Sequence, residues 1–273
     1  LTASDDHTAT MIGEKINDNN NDRKSIDREI TQEALEMVQN GSALSTDAAT
    51  IVYNPTWNKG VVGIVASRLV EAFYKPTIVL TKSNGFITGS ARSVAGFDLY
   101  EAIESCADLL ENFGGHVYAA GLTLKEGNLE EFVGRIDKFI AGKITEEMLT
   151  PMTDIDAKLE FSQITPKFFR LLKQFQPFGP GNTNPVFLTE NVSDGGNGRK
   201  VGAGGVHMKL DLIDEKQPFH QIPAIAFNMA EFYDYIKAGN PFDICYSIVE
   251  NYYRGNTTLQ LRIKDIKERD EFI

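Results

Sequence analysis

The stretch Trp57-Asn58-Lys59-Gly60-Val61-Val62-Gly63-Ile64-Val65-Ala66-Ser67-Arg68 decides the fold class. Just before it, Thr50-Ile51-Val52-Tyr53 has the β-branched and aromatic content of a strand. A turn follows, and an apolar helix over 60–73 opens on two glycines. Strand, glycine turn and helix in that order begin an α/β unit, and backbone N–H groups at such a helix start are aimed at an anion such as phosphate. Trp57 is suited to stacking on a base. The competing reading makes it a core residue and leaves Gly60 and Gly63 only the task of close helix packing. Working outward, strands are expected at 77–80, 86–89 and 117–124, and helices at 99–110 and 129–140. Residues 46–150 thus read as one α/β domain, a mixed sheet with flanking helices.

On the N-terminal side, residues 1–45 read as a helical connector. Asp5 and Asp6 suit a helix start, where carboxylates meet unpaired N–H groups. Ile26, Ile30, Ala34 and Val38 recur at four-residue spacing on one face, and Asn40-Gly41-Ser42 stops the helix. The polar run 17–22 interrupts the pattern and marks a bend. Leu1-Thr2-Ala3-Ser4, with no Met and helical sequence directly after it, reads as a cut inside a longer protein. After Pro151 the character changes. Residues 156–161 look extended, 166–175 helical, and Pro177-Phe178-Gly179-Pro180-Gly181-Asn182 is a turn. Short alternating runs at 186–188, 207–212, 224–227, 242–249 and 258–266 then suggest a small barrel or sandwich over 151–273. The tail, 264–271, reads as a solvated edge.

Composition bounds the function. Of 273 residues, 42% are hydrophobic and 24% charged, which excludes wholesale disorder. No apolar run approaches the roughly 18 residues of a membrane helix, so a soluble, cytoplasmic chain without a membrane partner is expected. Cys106 and Cys245 form neither a disulfide framework nor a zinc motif. Asp5-Asp6-His7 is no metal site, because adjacent side chains rarely converge on one ion. With 27 basic and 38 acidic residues the chain does not advertise a nucleic-acid binder, yet the acidity is uneven. Residues 1–45 hold four basic against nine acidic side chains, whereas 151–273 hold fourteen against sixteen, which leaves room for a local basic track on the barrel.

Three further clusters carry polar groups at glycine-rich junctions. Gly89-Ser90-Ala91-Arg92-Ser93 flanks a guanidinium with two hydroxyls, a donor set that suits phosphate, although a surface ion pair would use the same arginine. In Phe113-Gly114-Gly115-His116, followed by Ala119-Ala120-Gly121, the glycines permit close backbone approach and the imidazole donates or exchanges a proton; a structural histidine is the alternative. In Arg199-Lys200 and His207-Met208-Lys209-Leu210, alternation puts His207 and Lys209 on one face, fit for a single-strand backbone or merely for solvent. Tyr246, Tyr252, Tyr253 and Arg254 add either stacking or core.

In this order the clusters resemble the C-terminal half of RecJ-type single-stranded-DNA exonucleases. Asn17-x-x-Asn20-x-x-Arg23-Lys24 with Ile26, Ile30 and Ala34 resembles the family's connector helix. Residues 57–69 are similar to its Trp-His-x-Gly-Val-Val-Gly-Ile-Val-Ala-Ser-Arg signature, with Asn58 in place of the histidine. That amide donates a hydrogen bond but carries no proton or charge at neutral pH. The 89–93 and 113–121 clusters match the DHH-associated domain, and 177–182 and 207–210 an OB-fold domain. The resemblance implies 5′-to-3′ hydrolysis of single-stranded DNA with two divalent metals, manganese or magnesium, held in an N-terminal DHH domain that would precede Leu1. It implies that Ser90, Arg92, Gly114, Gly115 and His116 face that metal site and bind nucleotide phosphates, with His116 the one catalytic candidate. Trp57, Ser93, Lys200, His207 and Lys209 complete the expected DNA contacts. The chain itself is expected to bind no metal, to be monomeric, and to bind DNA without turnover. The other readings are a non-catalytic single-strand-binding module, and a DHH-type oligoribonuclease, phosphatase or part of an alanyl-tRNA synthetase.

Overall fold

The computed structural model describes residues 3, 5–44, 48–214, 217–253 and 255–269, and divides at Pro151/Met152 into two compact units. Leu1, Thr2, Ser4, Arg254, Asp270, Glu271 and the Tyr253 side chain, which entered the readings above, lie outside the described residues.

The first unit opens with α1 (Asp6–Gln39), whose start is capped by Asp5 accepting from the Thr8 N–H at 2.8 Å. The polar run 17–22 does not bend it. Asparagine costs a helix less than about 0.7 kcal/mol per residue, and these side chains meet only solvent or, for Asn20, the Arg23 guanidinium. The sheet follows: β1 (Thr50–Tyr53), β2 (Thr77–Ser83), β3 (Phe86–Arg92), β4 (Leu110–His116) and β5 (Ala119–Leu124), in the order β1-β2-β3-β5-β4. Only β1 and β2 run parallel, joined by the crossover helix α2 (Val62–Phe73). The helices α3 (Leu99–Glu104) and α4 (Leu129–Lys143) complete the unit.

Alternation on β2 and β3 divides the apolar side chains between two cores. Ile78, Leu80, Ile87 and Ala91 pack towards α3 and α4, with Leu99, Ile103, Phe132 and Ile136. Val52 and Val79 face α2 and the C-terminal half of α1, against Val62, Val65, Leu69, Ile30 and Ala34. Buried Asp27 accepts from the Arg68 guanidinium at 2.7 Å and ties α1 to α2. The Arg68 side chain is 45% exposed, so this pair adds less than the apolar cluster, where each buried Val or Leu contributes about 1.5–3 kcal/mol.

Two expectations need correction here. The helix expected over 99–110 ends at Glu104, and a 3-10 turn, Ala107–Leu109, leads directly into β4. Phe113-Gly114-Gly115-His116, read above as a glycine-rich junction, is therefore the end of an edge strand. Most of β4 is exposed on both faces, so it lacks the period-two signature of a half-buried strand.

The second unit holds β6 (Ala157–Lys158), α5 (Pro166–Leu172), β7 (Phe187–Asp194), β8 (Arg199–Val201), β9 (His207–Asp214), β10 (Gln217–Ala226), α6 (Tyr233–Lys237), β11 (Phe242–Tyr253) and β12 (Asn256–Glu268). The sheet order is β6-β7-β11-β12-β10-β9-β8, and β7 also pairs with β9 at Val192–Asp194. That extra pairing turns β7, β11, β12, β10 and β9 into a ring of five strands, the OB-type barrel, around Phe187, Leu210, Ala224, Tyr246 and Leu261. Within the core, the Tyr246 hydroxyl and Thr189 Oγ1 hydrogen-bond at 2.8 Å.

Two stability outcomes follow from this packing. A Cβ on Gly89 would lie 2.4 Å from Leu80 Cδ2 and 2.8 Å from the Val79 carbonyl, so Gly89→Ala should cost about 1–3 kcal/mol in urea unfolding, and a neutral result would contradict the packing. Burial pushes the Tyr246 hydroxyl up to about 12 from an ordinary 10.0, with the Thr189 hydrogen bond acting the other way. Its contribution is therefore whole below pH 10 and is lost as pH rises from 10 to 12, by about 2–3 kcal/mol. Tyr246→Phe should flatten that alkaline limb in pH-resolved denaturation.

Candidate nucleic-acid interface

Antiparallel register collects the polar residues of the first unit on one sheet face. Val79 faces α2, and it pairs with Ser90, which pairs with Gly121, which pairs with Gly114. The adjacent row of the same face is Arg92, Ala119 and His116. At about 4.8 Å per strand spacing, Arg92 and His116 stand roughly 10 Å apart, with Ser90 on the next row and only glycine across from it. The helix α2 covers β2 and β3, whereas Gly114, Gly115, His116 and Gly121 are exposed. The result is a bare backbone floor rimmed by a hydroxyl, a guanidinium and an imidazole.

Each rim group is held by local geometry. The Arg92 guanidinium donates to Ser90 Oγ at 3.0 Å and to the Ala91 carbonyl at 2.8 Å, and has no carboxylate partner among the described residues. Helix α2 passes directly over this pair, and a Cβ on Gly63 would lie 3.1 Å from both Arg92 Nη2 and Ser90 Oγ. A side chain at Gly63 would therefore press on the guanidinium and the Ser90 hydroxyl, which would have to give by a few tenths of an ångström. At the helix entry, Asn58 Oδ1 accepts from the Gly60 N–H at 2.8 Å, so this amide shapes the turn. Gly115, at φ +156, has the Ala119 carbonyl 2.3 Å from where its Cβ would be, which fixes glycine beside His116. The Tyr118 N–H donates to His116 Nδ1 at 3.2 Å, which leaves the neutral ring's proton on Nε2, available to an acceptor.

Two expected contacts of this unit fall away. Trp57 is 4% exposed, packed with the α1–α2 core, and its Nε1–H donates to Glu33 Oε2 at 2.7 Å, so neither ring face is open to a base. The Ser93 hydroxyl is turned back to donate to the Phe97 carbonyl at 2.7 Å.

On the barrel, register builds a second basic face. Arg199 of β8 pairs with Lys209 of β9, Lys209 with Ile225 of β10, and Ile225 with Arg262 of β12. The alternate residues of these strands, Met208, Leu210, Ala224 and Leu261, fill the core, so the three cations share the outer face. Phe227, 43% exposed, lies beside them, with the Arg262 guanidinium over its ring at 5.2 Å and the His207 ring edge-on at 5.2 Å. His207 Nδ1 accepts from the Asn228 N–H at 3.0 Å, which leaves the neutral ring's proton on Nε2. Lys200 does not join this face. It pairs with buried Met208, and its ammonium lies over the Tyr233 ring at 5.0 Å. Tyr246 is core, as one of the two aromatic readings has it. Arg262 and Phe227 were missed as site residues because register across 53 and 18 residues of chain, not local pattern, brings them to Lys209.

Other chemistry has no footing in these side chains. Burial pushes the Cys106 and Cys245 thiols up, away from the reactive thiolate. Among the described residues no group of three His, Cys, Asp or Glu is placed to hold a metal ion, so the donor sets here do not fit one. Among them, too, no helix is long and apolar enough to cross a membrane.

Known proteins match this arrangement over nearly the whole chain. A DHHA1 domain model matches residues 46–142 and a RecJ OB domain model residues 155–265. The single-stranded-DNA-specific exonuclease RecJ of Bacillus subtilis is 35% identical over 269 residues, 97% of this chain and 33% of that protein. The Haemophilus influenzae protein of the same name is 29% identical, over 99% of this chain and 48% of its own length. The crystal structure of RecJ in complex with Mn2+ from Thermus thermophilus covers 99% of this chain and 38% of its own at a TM-score of 0.78; with 23% identity it speaks to the fold. The chain thus spans a third to a half of the length of these relatives.

The tautomers offer a direct check of both histidine sites. Side-chain ¹⁵N–¹H correlation spectra of the neutral rings should show His116 and His207 as Nε2–H, and an Nδ1–H ring at either position would contradict the hydrogen bonds described.

Proposed function

Because the chain belongs to the RecJ family, in the span of its DHHA1 and OB domains, we propose that it is the strand-holding part of a 5′-to-3′ single-stranded-DNA exonuclease. The observation that carries this reading is the pairing of two open, cationic faces on two different scaffolds. On the sheet, Ser90 and Arg92 supply directed donors to a phosphate, and the Gly114–Gly121 floor lets a sugar-phosphate backbone approach without meeting side chains. The Nε2–H of His116 donates to the next phosphate or to a leaving oxygen from the far side of that floor. On the barrel, Arg199, Lys209 and Arg262 track phosphates while Phe227 accepts a base, the sequence-tolerant combination typical of single-strand binding.

Hydrolysis is assigned elsewhere. We assign it to two divalent metals in a DHH domain, for which the length of the relatives that this chain does not cover leaves room. The chain's own side chains bind, orient and neutralise, with His116 as proton donor; among the described residues none is grouped to hold a metal ion. The RecJ OB match over 155–265 supports this assignment over a small-nucleotide phosphatase, because a barrel track serves a strand longer than a dinucleotide. We further assign the chain as a monomer acting in the cytoplasm.

Binding by fluorescence anisotropy with a labelled oligothymidylate tests the reading. Arg92→Gln should weaken binding about tenfold and reduce the slope of log K against log salt, since one phosphate contact is worth roughly 0.7 in that slope for single strands. Gly63→Ala should weaken binding about as much by displacing the guanidinium while leaving thermal stability nearly unchanged, because alanine is the better helix former. Undiminished binding in both variants would overturn the sheet site. Metal-dependent nuclease activity that stays with this chain through several columns would overturn the division of labour.

A further inference from the structure

Strand β10 parts from β12 early. The two pair only at Ala224–Ala226 with Leu261–Ile263, whereas β10 begins at Gln217 and β12 at Asn256. The wedge between the first half of β10 and the β11–β12 hairpin opens into a cavity of about 520 Å³, a size usual for small-molecule sites. Its floor is apolar, made by Ile164, Phe169, Ile222 and Leu259, and hydroxyls of Thr257 and Thr258 stand at the rim. Two charged residues also line it. Glu250 is taken up by the Lys173 ammonium at 2.5 Å, whereas Arg170 is exposed and has no ion-pair partner among the described residues. The rim's unpaired charge is therefore positive. A flat, largely apolar body carrying an anion fits this combination.

The cavity also adjoins the basic face at Pro223. Pro223 lines both it and a smaller hollow of about 180 Å³ lined also by Arg199, Lys209, one carboxylate, Asp211, and Asn251 and Gln260. Leu259 and Gln260 are chain neighbours, as are Glu250 and Asn251, so the two hollows lie on opposite faces of one hairpin at the place where β10 leaves it. From Phe227 back to Gln221 the strand covers six residues, about 20 Å at 3.3 Å per residue, which suits the short end of the roughly 4–16 nucleotides an OB fold holds.

We propose that this wedge is a nucleotide pocket at the end of the barrel's single-strand track, where one base inserts against Phe169 and Leu259 and its phosphate meets Arg170. The inference rests on the barrel's holding single-stranded DNA, and deepens it by assigning where the strand leaves the outer face.

An eight-nucleotide oligothymidylate carrying 5-iodouracil at one position in turn, photocrosslinked to the full chain and mapped by peptide mass spectrometry, tests it. The expected result is one position crosslinking within 164–170 or 220–223, and a different position crosslinking near Phe227. Arg170→Gln, an exposed change, should lower affinity for the eight-mer about fivefold, and Leu259→Trp should abolish the cavity crosslink while the Phe227 crosslink persists and reports an intact barrel. Crosslinks near Phe227 with none in the cavity, or unchanged affinity in Arg170→Gln, would overturn the pocket and leave the strand-holding reading standing. Absence of any binding or crosslink would overturn that reading itself, and the pocket with it.

Discussion

The pleat of β3 is the constraint on which the first unit depends. Ile87, Gly89 and Ala91 point into the core shared with α4, so Thr88, Ser90 and Arg92 must point the other way. A one-residue slip would bury the guanidinium and expose the aliphatics, an exchange far outside the margin of a marginally stable domain. Gly89 helps to pin this register, because Leu80 fills the space where its side chain would be. With β3 fixed, pairing to β5 and β4 brings Gly121, Gly114 and His116 to the same face without any further instruction. The open glycine floor is therefore a by-product of core packing on the reverse side of the sheet.

The barrel reaches a similar end by ring closure. Because β7 pairs with both β11 and β9, the apolar residues of five strands share one interior, and every second residue is committed to the outer surface. Lys209, Arg262 and Phe227 come from segments that no local pattern connects, and cross-strand register alone makes them neighbours. Closure has a cost at its ends. Where β10 and β12 part, an apolar floor is left open, and Pro223 lines both that opening and the hollow beside the basic face.

How much of this was legible follows from the range of the interaction concerned. The strand-turn-helix at 50–73 could be read because strand content, glycines and helical periodicity are all local, and Ser90 with Arg92 could be read because two residues apart on a strand means one face. Trp57 could not. Whether an indole faces solvent or core depends on α1, more than twenty residues away, whose Glu33 accepts its N–H. The edge strand β4 was invisible for a different reason: its glycines and open faces remove the alternation by which strands are recognised. Lys200 was placed with Lys209 by proximity in sequence, whereas the pairing of Lys200 with Met208 sends it to the other side.

The net charge of −11 then takes on a physical role. A strand approaching such a molecule is repelled over most of the surface and attracted only where cations lack carboxylate partners. Several cations of the first unit are neutralised, Lys82 by Glu126, Lys125 by Glu111 and Arg135 by Asp108 and Glu131, while Arg92 is left to Ser90 and a backbone carbonyl. On the barrel, Arg199, Lys209 and Arg262 are likewise without ion-pair partners among the described residues. An acidic surround of this kind lowers non-specific adsorption of DNA more than it lowers binding along the unpaired rows, so it supplies orientation and selectivity at the expense of raw affinity. Under the proposed reading, in which the chain holds one flexible polyanion in one register, that exchange is favourable, and an acidic total is compatible with local faces that suit a phosphate backbone.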